Sequence, residues 1–325
     1  MSDGDRNERQ QPRNLTGLLR LCAETTREDT TTTSQFEEMD QERKDFLNAV
    51  LNEITVNPVD RLKECLRLIL SAGDSDAEHD TVAELLEEVC EICEEIDMAT
   101  DFYKIGGYQI LPRLLHSGNF ELRWRALELI ATLVQNNPKC QETILEAGHL
   151  PALLELLDTD SNDMVKIKAL YATSCLLRDL PEAQKQFEEH DGFSKIMRAM
   201  QCDVEKLKVK GAVLLTSLCS QQPAFKDTLC DIGMVDQLVG LLGQPHTACH
   251  EHMMSALLAL VTDHERAQQE AQRPQLQLCS LLQNRMHTLQ GKEEFQEERD
   301  YAKEIMKICF LNEVETDKDS NEACR

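Results

Sequence analysis

Four glycines punctuate the middle of this chain at nearly constant intervals. Gly107, Gly148, Gly192 and Gly233 stand 41, 44 and 41 residues apart. Each opens a short apolar run, then comes a polar break, then a longer amphipathic run. A third short run, such as residues 139–146 or 224–230, closes the unit before the next glycine. Three helices repeating at this period are the arithmetic of an armadillo-type repeat. Such a unit cannot bury its apolar face alone and buries it against its neighbour, so the pattern predicts an all-α, right-handed helical solenoid. The glycines are read as the positive-φ residues of helix C-terminal caps. Pro138, Pro181 and Pro223 end three of the four units as helix stops.

The segments around the repeats set the expected organisation. Residues 1–35 are polar, with threonine at 30–33, and are expected to be disordered apart from an amphipathic patch at Leu15, Leu18, Leu19 and Leu21. Residues 36–53 read as a helix whose stripe is Phe46, Leu47, Val50, Leu51 and Ile54. Pro58 opens the next helix, with Leu62, Cys65, Leu66 and Ile69 as its apolar stripe, and 71–80 reads as an acidic loop. From Asp74 to Asp101 there are twelve acidic residues and no Lys or Arg, while Leu85, Leu86, Val89, Ile92, Cys93 and Ile96 keep a helical period. This reads as a solvated acidic face on a capping helix, with a docking face as the sharper alternative. The expected plan is N-terminal capping helices over 36–105, four armadillo-like repeats over 106–263, C-terminal capping helices over 264–313 and a disordered tail over 314–325. The closing helices carry Leu276, Leu278, Leu281 and Leu282, then Phe295, Tyr301, Ile305, Ile308 and Phe310.

Charge narrows the partners. A net charge of −25 argues against nucleic acid and against anionic membrane surfaces. No stretch approaches 18 consecutive apolar residues, the N-terminal residues have no apolar leader segment and NEACR is no retention signal, so a cytoplasmic protein is expected. The 13 cysteines are scattered along helical patterns, which suits reduced, buried thiols in a reducing compartment. Aromatics make up only 4% of the chain, which fits helices built on Leu, Ala, Met and Cys better than sheets. A monomer without cofactor or metal is expected.

Few residues carry chemistry. Cys90 and Cys93 form a C-x-x-C within a helical pattern, without the preceding strand of a redox motif or the second pair of a zinc site, and are read as core. His246, Cys249, His250 and His252 are metal-like in type but not in spacing. No phosphate loop, dinucleotide fingerprint or nucleophile elbow occurs, so an enzyme is not expected. One feature runs against the composition. The first three long helices begin with cations: Arg123 and Arg125, Lys166 and Lys168, then Lys206, Lys208 and Lys210. Cations there oppose the helix dipole, so local stability does not explain them. Recurring once per unit, they line up across the stack and suit an acidic partner surface, unless they only neutralise nearby acidic loops.

Several runs in this order and spacing resemble one family. They are PRNLTGLLRLC, DMATDFYKIGGYQILPRLL, LRWRALELIATLVQNNPKCQE, KLKVKGAVLLTSL, FKDTLCDIGMVDQLVGLL and HEHMMSALLALVTD. The stretch from Pro12 to about Phe310 is similar to the heat shock protein 70-binding protein family, the armadillo-repeat nucleotide exchange factors of the 70-kDa heat-shock chaperone. The chain lacks the N-terminal glycine-rich stretch usual in the cytosolic member. The resemblance implies a co-chaperone whose concave face wraps one lobe of the chaperone's ATPase domain, favours displaced lobes and so releases ADP. It also implies partner-binding positions at Leu122, Arg125 and Leu129; Val165, Lys168 and Ala172; Leu207, Lys210 and Leu214; and His252, Ser255 and Ala259. Importin adaptors carry a Trp and an Asn per repeat, whereas this chain has Arg, Lys or Ser with Leu or Ala, and its single Trp124 lies one place off. That pattern disfavours a cargo adaptor; a scaffold without exchange activity stays open.

Overall fold

The computed structural model describes residues 57–73 and 75–311. The expectations for 1–56 and 312–325 lie outside the described residues. Among the described residues there are seventeen α-helices and no strand. They are α1 Pro58–Ser71, α2 Asp76–Cys93, α3 Ile96–Lys104, α4 Leu111–Leu115, α5 Phe120–Val134, α6 Pro138–Glu146, α7 Leu150–Thr159, α8 Asp163–Leu177 and α9 Pro181–Glu189. Then follow α10 Gly192–Gln201, α11 Glu205–Gln221, α12 Phe225–Asp231, α13 Met234–Leu242, α14 Cys249–Val261, α15 Glu265–Ala271, α16 Leu278–Thr288 and α17 Gln296–Met306. The helices α2, α5, α8, α11, α14 and α17 stack side by side as the rungs of a ladder. Short helices pack behind them, and one apolar core runs from Leu62 to Cys309.

Local chemistry sets the helix starts. Asn57, Asn119, Asn137 and Asn162 accept backbone N–H groups at the openings of α1, α5, α6 and α8. Ser75 and Glu78 form a reciprocal capping box, so α2 begins at Asp76 and the expected acidic loop shrinks. Pro58 opens α1, as the sequence predicts, and Leu62, Cys65, Leu66 and Ile69 are its buried stripe. Pro138 and Pro181 stand at the first turns of α6 and α9, so they start helices as much as they stop them. Ile96 does not continue the stripe of α2; the helix breaks at Glu94, and Ile96 opens α3 with 59% of its surface exposed. The sequence reading also passed over α15, which closes the fourth unit as α12 closes the third.

The glycine period is real, but two of its members do something other than expected. Gly148 and Gly233 have φ of 73° and 76°, as predicted. In the other two units the left-handed residue is the preceding one, Gly106 at 80° and Asp191 at 56°. Gly107 and Gly192 are required for space instead. A Cβ on either would run into the ring of Phe102 or Phe187 respectively. In the other units the residue five back is Ile144 or Leu229, and the position following the left-handed residue holds His149 or Met234. The rings demand glycine, and the narrower aliphatic chains do not.

A second recurrence fastens the units. One equivalent position in each closing run, at 141, 184, 226 and 268, is a long polar side chain aimed at the C-terminus of a long helix. Gln141 Nε2 donates to the carbonyls of Cys175, Leu176 and Arg178 in the next unit. Lys226 Nζ donates 2.6 Å to Thr262 O, also in the next unit. Gln184 and Gln268 donate instead to Leu177 O and Val261 O of their own units, and Gln184 reaches the Gln221 side chain of the next. These contacts satisfy carbonyls that a helix end leaves without partners.

Candidate functional site

The ladder face is built from equivalent positions on successive rungs. Arg125, Lys168, Lys210 and His252 occupy one column across α5, α8, α11 and α14. Arg125 donates from Nε to Glu121 Oε1 at 3.1 Å and from a terminal nitrogen to Glu87 Oε2 of α2 at 3.2 Å. Its guanidinium lies 4.6 Å from the centre of the Trp124 ring. Lys168 Nζ lies 5.6 Å from the same ring and 2.5 Å from Glu128 Oε1. Trp124 therefore stands between a cation of its own rung and one of the next. Lys210 Nζ lies 4.5 Å over Tyr171, whose hydroxyl is 3.4 Å from Gln135 Oε1. Burial pushes the Tyr171 hydroxyl above its ordinary pKa. Each such contact is worth about 0.5–1 kcal/mol at an exposed site and more when desolvated.

The predicted positions divide into two sets. Leu122, Leu129, Val165, Ala172, Leu207 and Leu214 are all 0–4% exposed, so they are core and present no surface. Helix geometry gives the reason. Residues three before and four after each cation lie on its core-facing side, whereas those four before and three after lie on its solvent side. The surface neighbours of the column are therefore Glu121, Met164 and Lys206, with Glu128, Tyr171 and Val213. Met164 and Val213 are 43% and 49% exposed. His252, Ser255 and Ala259 carry the face, half-buried, onto α14. Spacing from the cations could have found Tyr171 and Val213; Trp124 was noticed, but its contacts on both sides were not legible.

Two of the remaining cations pair away from the column. Arg123 forms a nearly buried pair with Asp160 at 2.7 Å and donates to the carbonyls of Ser117 and Gly118, tying α5 to the loop after α7. Burial works against the Asp160 carboxylate, yet Arg123 and the Asn162 N–H hold it below its ordinary pKa. Lys208 lies 4.0 Å from Asp203. The acidic helix α2 also turns inward: Glu87 meets Arg125, and Glu88 meets Arg61 at 2.7 Å.

The metal-like and redox-like groups are engaged in hydrogen bonds and packing. His246 Nε2 is 2.8 Å from buried Glu298 Oε2, and His250 Nδ1 receives the Thr247 N–H at 3.0 Å. Among the described residues no group of three or more His, Cys, Asp or Glu is gathered to hold a metal. Cys90 lies 3.6 Å from Thr132, and burial pushes its thiol up to about 11. Burial raises Cys93 further, so neither is poised as a thiolate. Among the described residues no helix is long and apolar enough to cross a membrane.

A ladder of long helices with shorter helices stacked behind defines an armadillo-type solenoid. A designed armadillo repeat protein of known structure superposes on it with a TM-score of 0.62 at 17% identity, over 76% of this chain and 99% of that one. The family model for the SIL1/FES1/HPBP1 C-terminal domain matches residues 98–232, and that for the nucleotide exchange factor Fes1 matches residues 15–102. Hsp70-binding protein 1 of Rattus norvegicus is 40% identical over 319 residues, covering 95% of this chain and 89% of the relative. The Hsp70 nucleotide exchange factor FES1 of Mycosarcoma maydis is 34% identical over 137 residues, 42% of this chain and 35% of that one. The chain belongs to the SIL1/FES1/HPBP1 family.

Proposed function

We propose that this protein is a co-chaperone that binds the ATPase domain of the 70-kDa heat-shock chaperone and promotes release of its ADP. The observation that carries the reading is the end-to-end similarity to a protein named for binding Hsp70, together with the partial match to a named exchange factor. The contact is assigned to the ladder face at Trp124, Arg125, Lys168, Tyr171, Lys210 and Val213. That face combines half-desolvated cations with exposed apolar surface, the mixture that anchors protein interfaces. It works by differential binding: the face must prefer the ATPase domain with its lobes displaced, or it would shift nothing. Linkage then makes nucleotide weaken the complex by the same factor.

No residue of this chain need touch the nucleotide, and the protein has no catalytic step of its own. Eleven unpaired thiols among the described residues, most of them buried, suit a reducing compartment and support a cytoplasmic location. The protein is read as a monomer in this role. The decisive measurement is stopped-flow release of a fluorescent ADP analogue from the chaperone's ATPase domain. Acceleration that saturates with added protein is the expected result. An unchanged release rate with binding intact would leave a scaffold and remove the exchange function.

A further inference from the structure

Behind the ladder, between α13 and α16, lies a cleft of about 790 Å³. The helix α13 packs on the rung α14, and α16 packs on α17. No residue of the cation column lines the cleft. Its apolar wall includes Leu276, Leu281 and Leu289, and its charged lining is Asp236, Arg285 and Lys292, with His246. Asp236 is already paired with Arg273. His246 Nε2 is engaged with one oxygen of buried Glu298, and Arg285 Nε stands 3.6 Å from the other. Lys292 is in no ion pair among the described residues, and its Nζ lies 6.0 Å from the centre of the Phe295 ring. Glu293 and Glu294 follow it in sequence but do not line the cleft. In a chain of net charge −25, this lining has one carboxylate, already engaged, and an uncommitted lysine. Gly240 supplies a second observation. Glycine weakens a helix, so one within a helix asks for a reason. Gly211 of α11 has one, since Met200 stands 2.7 Å from an ideal Cβ there. Gly240 of α13 lines the cleft and has nothing within 4 Å of that position. The fold leaves this glycine unexplained, and an occupant lying close against the α13 backbone explains it.

We propose that this cleft is a second docking site, which takes an extended acidic peptide segment of a partner protein with an apolar side chain between its carboxylates. Charge complementarity selects the occupant. Lys292 and Arg285 meet the carboxylates, and the leucine wall takes the apolar side chain. Gln277, Ser280 and Asn284, which line the cleft from α16 and the residue before it, offer amide and hydroxyl groups to an extended backbone. Gly240 lets that backbone approach α13. The cleft shares no residue with the ladder face, so both are open to partners at once, and the solenoid tethers the peptide's owner to whatever the ladder holds.

Selection of a random peptide display library on the full-length protein tests this. Enriched peptides should carry Asp or Glu on both sides of a Leu, Ile, Val or Phe. A fluorescein-labelled copy of the most enriched peptide then reads binding by polarisation. Gly240→Leu fills the cleft and improves the helix, so it should weaken that binding at least about tenfold while the melting temperature stays equal or rises. Lys292→Glu should weaken it too, and so should added salt. Neither substitution touches the ladder face, so ADP release from the chaperone's ATPase domain should match that with the unmodified chain. A library that yields no binder, or winners without carboxylates, overturns the proposal. So does a peptide bound equally well by Gly240→Leu. A peptide lost from Trp124→Ala with Lys210→Glu but kept by Gly240→Leu belongs to the ladder face, which also overturns it.

Discussion

The Phe187 ring fills the volume that a Cβ on residue 192 would need. Phe102 stands in the same relation to Gly107, where the ring carbons are 2.6 Å from an ideal Cβ position. Gly192→Ala therefore forces the ring aside and should cost about 1–3 kcal/mol, as overpacking does. Phe187→Leu alone opens a cavity and also destabilises. Combined, the two should cost less than their sum, because Leu229 with Met234 shows that an aliphatic chain leaves room. Denaturant titration of the four chains measures the coupling; strict additivity would show that the ring does not impose the glycine. Gly148 differs, since it has open space and positive φ. There Gly148→Asn should cost less than Gly148→Ala.

For the ladder face, the expectation concerns affinity. Trp124→Ala with Lys210→Glu removes the ring shared by two cations and reverses the charge stacked on Tyr171. Neither change alters the buried leucines beneath. Calorimetric titration with the chaperone's ATPase domain should show binding weakened by at least about 2 kcal/mol, the scale of a hot-spot loss, with helical circular dichroism retained. The comparison chain is Glu84→Lys with Glu91→Lys on α2. If that chain loses binding and the Trp124 chain keeps it, the contact lies on the acidic rung.

Glu128 and Glu87 hold Lys168 and Arg125 before any partner arrives. An acidic partner must compete with them. Glu128→Gln and Glu87→Gln should each raise the association rate with the ATPase domain, by roughly two- to five-fold at low salt and less at 0.15 M. Surface plasmon resonance at two salt concentrations reads this out. A slower association in both variants would mean that the carboxylates themselves face the partner.

Mild acid should weaken the fold through two histidines. Burial holds the His149 pKa below its ordinary value of 6.5. Burial, with Arg285 nearby, does the same to His250. Both are neutral in the folded chain where the unfolded chain has begun to bind protons. Stability should therefore be constant above pH 7.5 and fall as pH drops through 6.5 toward the lower folded values. Melting temperatures at pH 7.5 and 5.5 should differ, and less so in His250→Gln. A melting temperature independent of pH over that range would contradict the assignment. Asp160 adds nothing in this window, because its folded pKa lies below the ordinary carboxylate value and it stays ionised in both states.

The stack was legible because two independent signals agreed: the recurrence of the glycine pairs and the apolar stripes between them. The off-by-one at Gly106 and Asp191 was not legible, since only the packing of Phe102 and Phe187 decides which of two adjacent residues takes the left-handed turn. The cation column was legible from charge that opposed both composition and helix dipole. Its apolar companions were misplaced because each cation sits on the boundary between core and solvent. A shift of one helical position there exchanges Leu129 for Glu128 and Leu214 for Val213. The pairing of Trp124 with Lys168 joins two rungs, and nothing within one repeat announces it.

The polar fasteners at 141, 184, 226 and 268 are not equal, and the junctions between units are tied by different means. Gln141 and Lys226 tie a unit to the backbone of the next, whereas Gln184 crosses only to the end of a surface glutamine. At the same junction α8 and α11 pack less extensively than α5 with α8 or α11 with α14. Lys210 on Tyr171 spans this junction, where Arg198 also holds Asp158 through two hydrogen bonds. A partner that contacts both α8 and α11 meets the junction through that same pair of side chains, so one cation–ring contact serves the stack and the surface together.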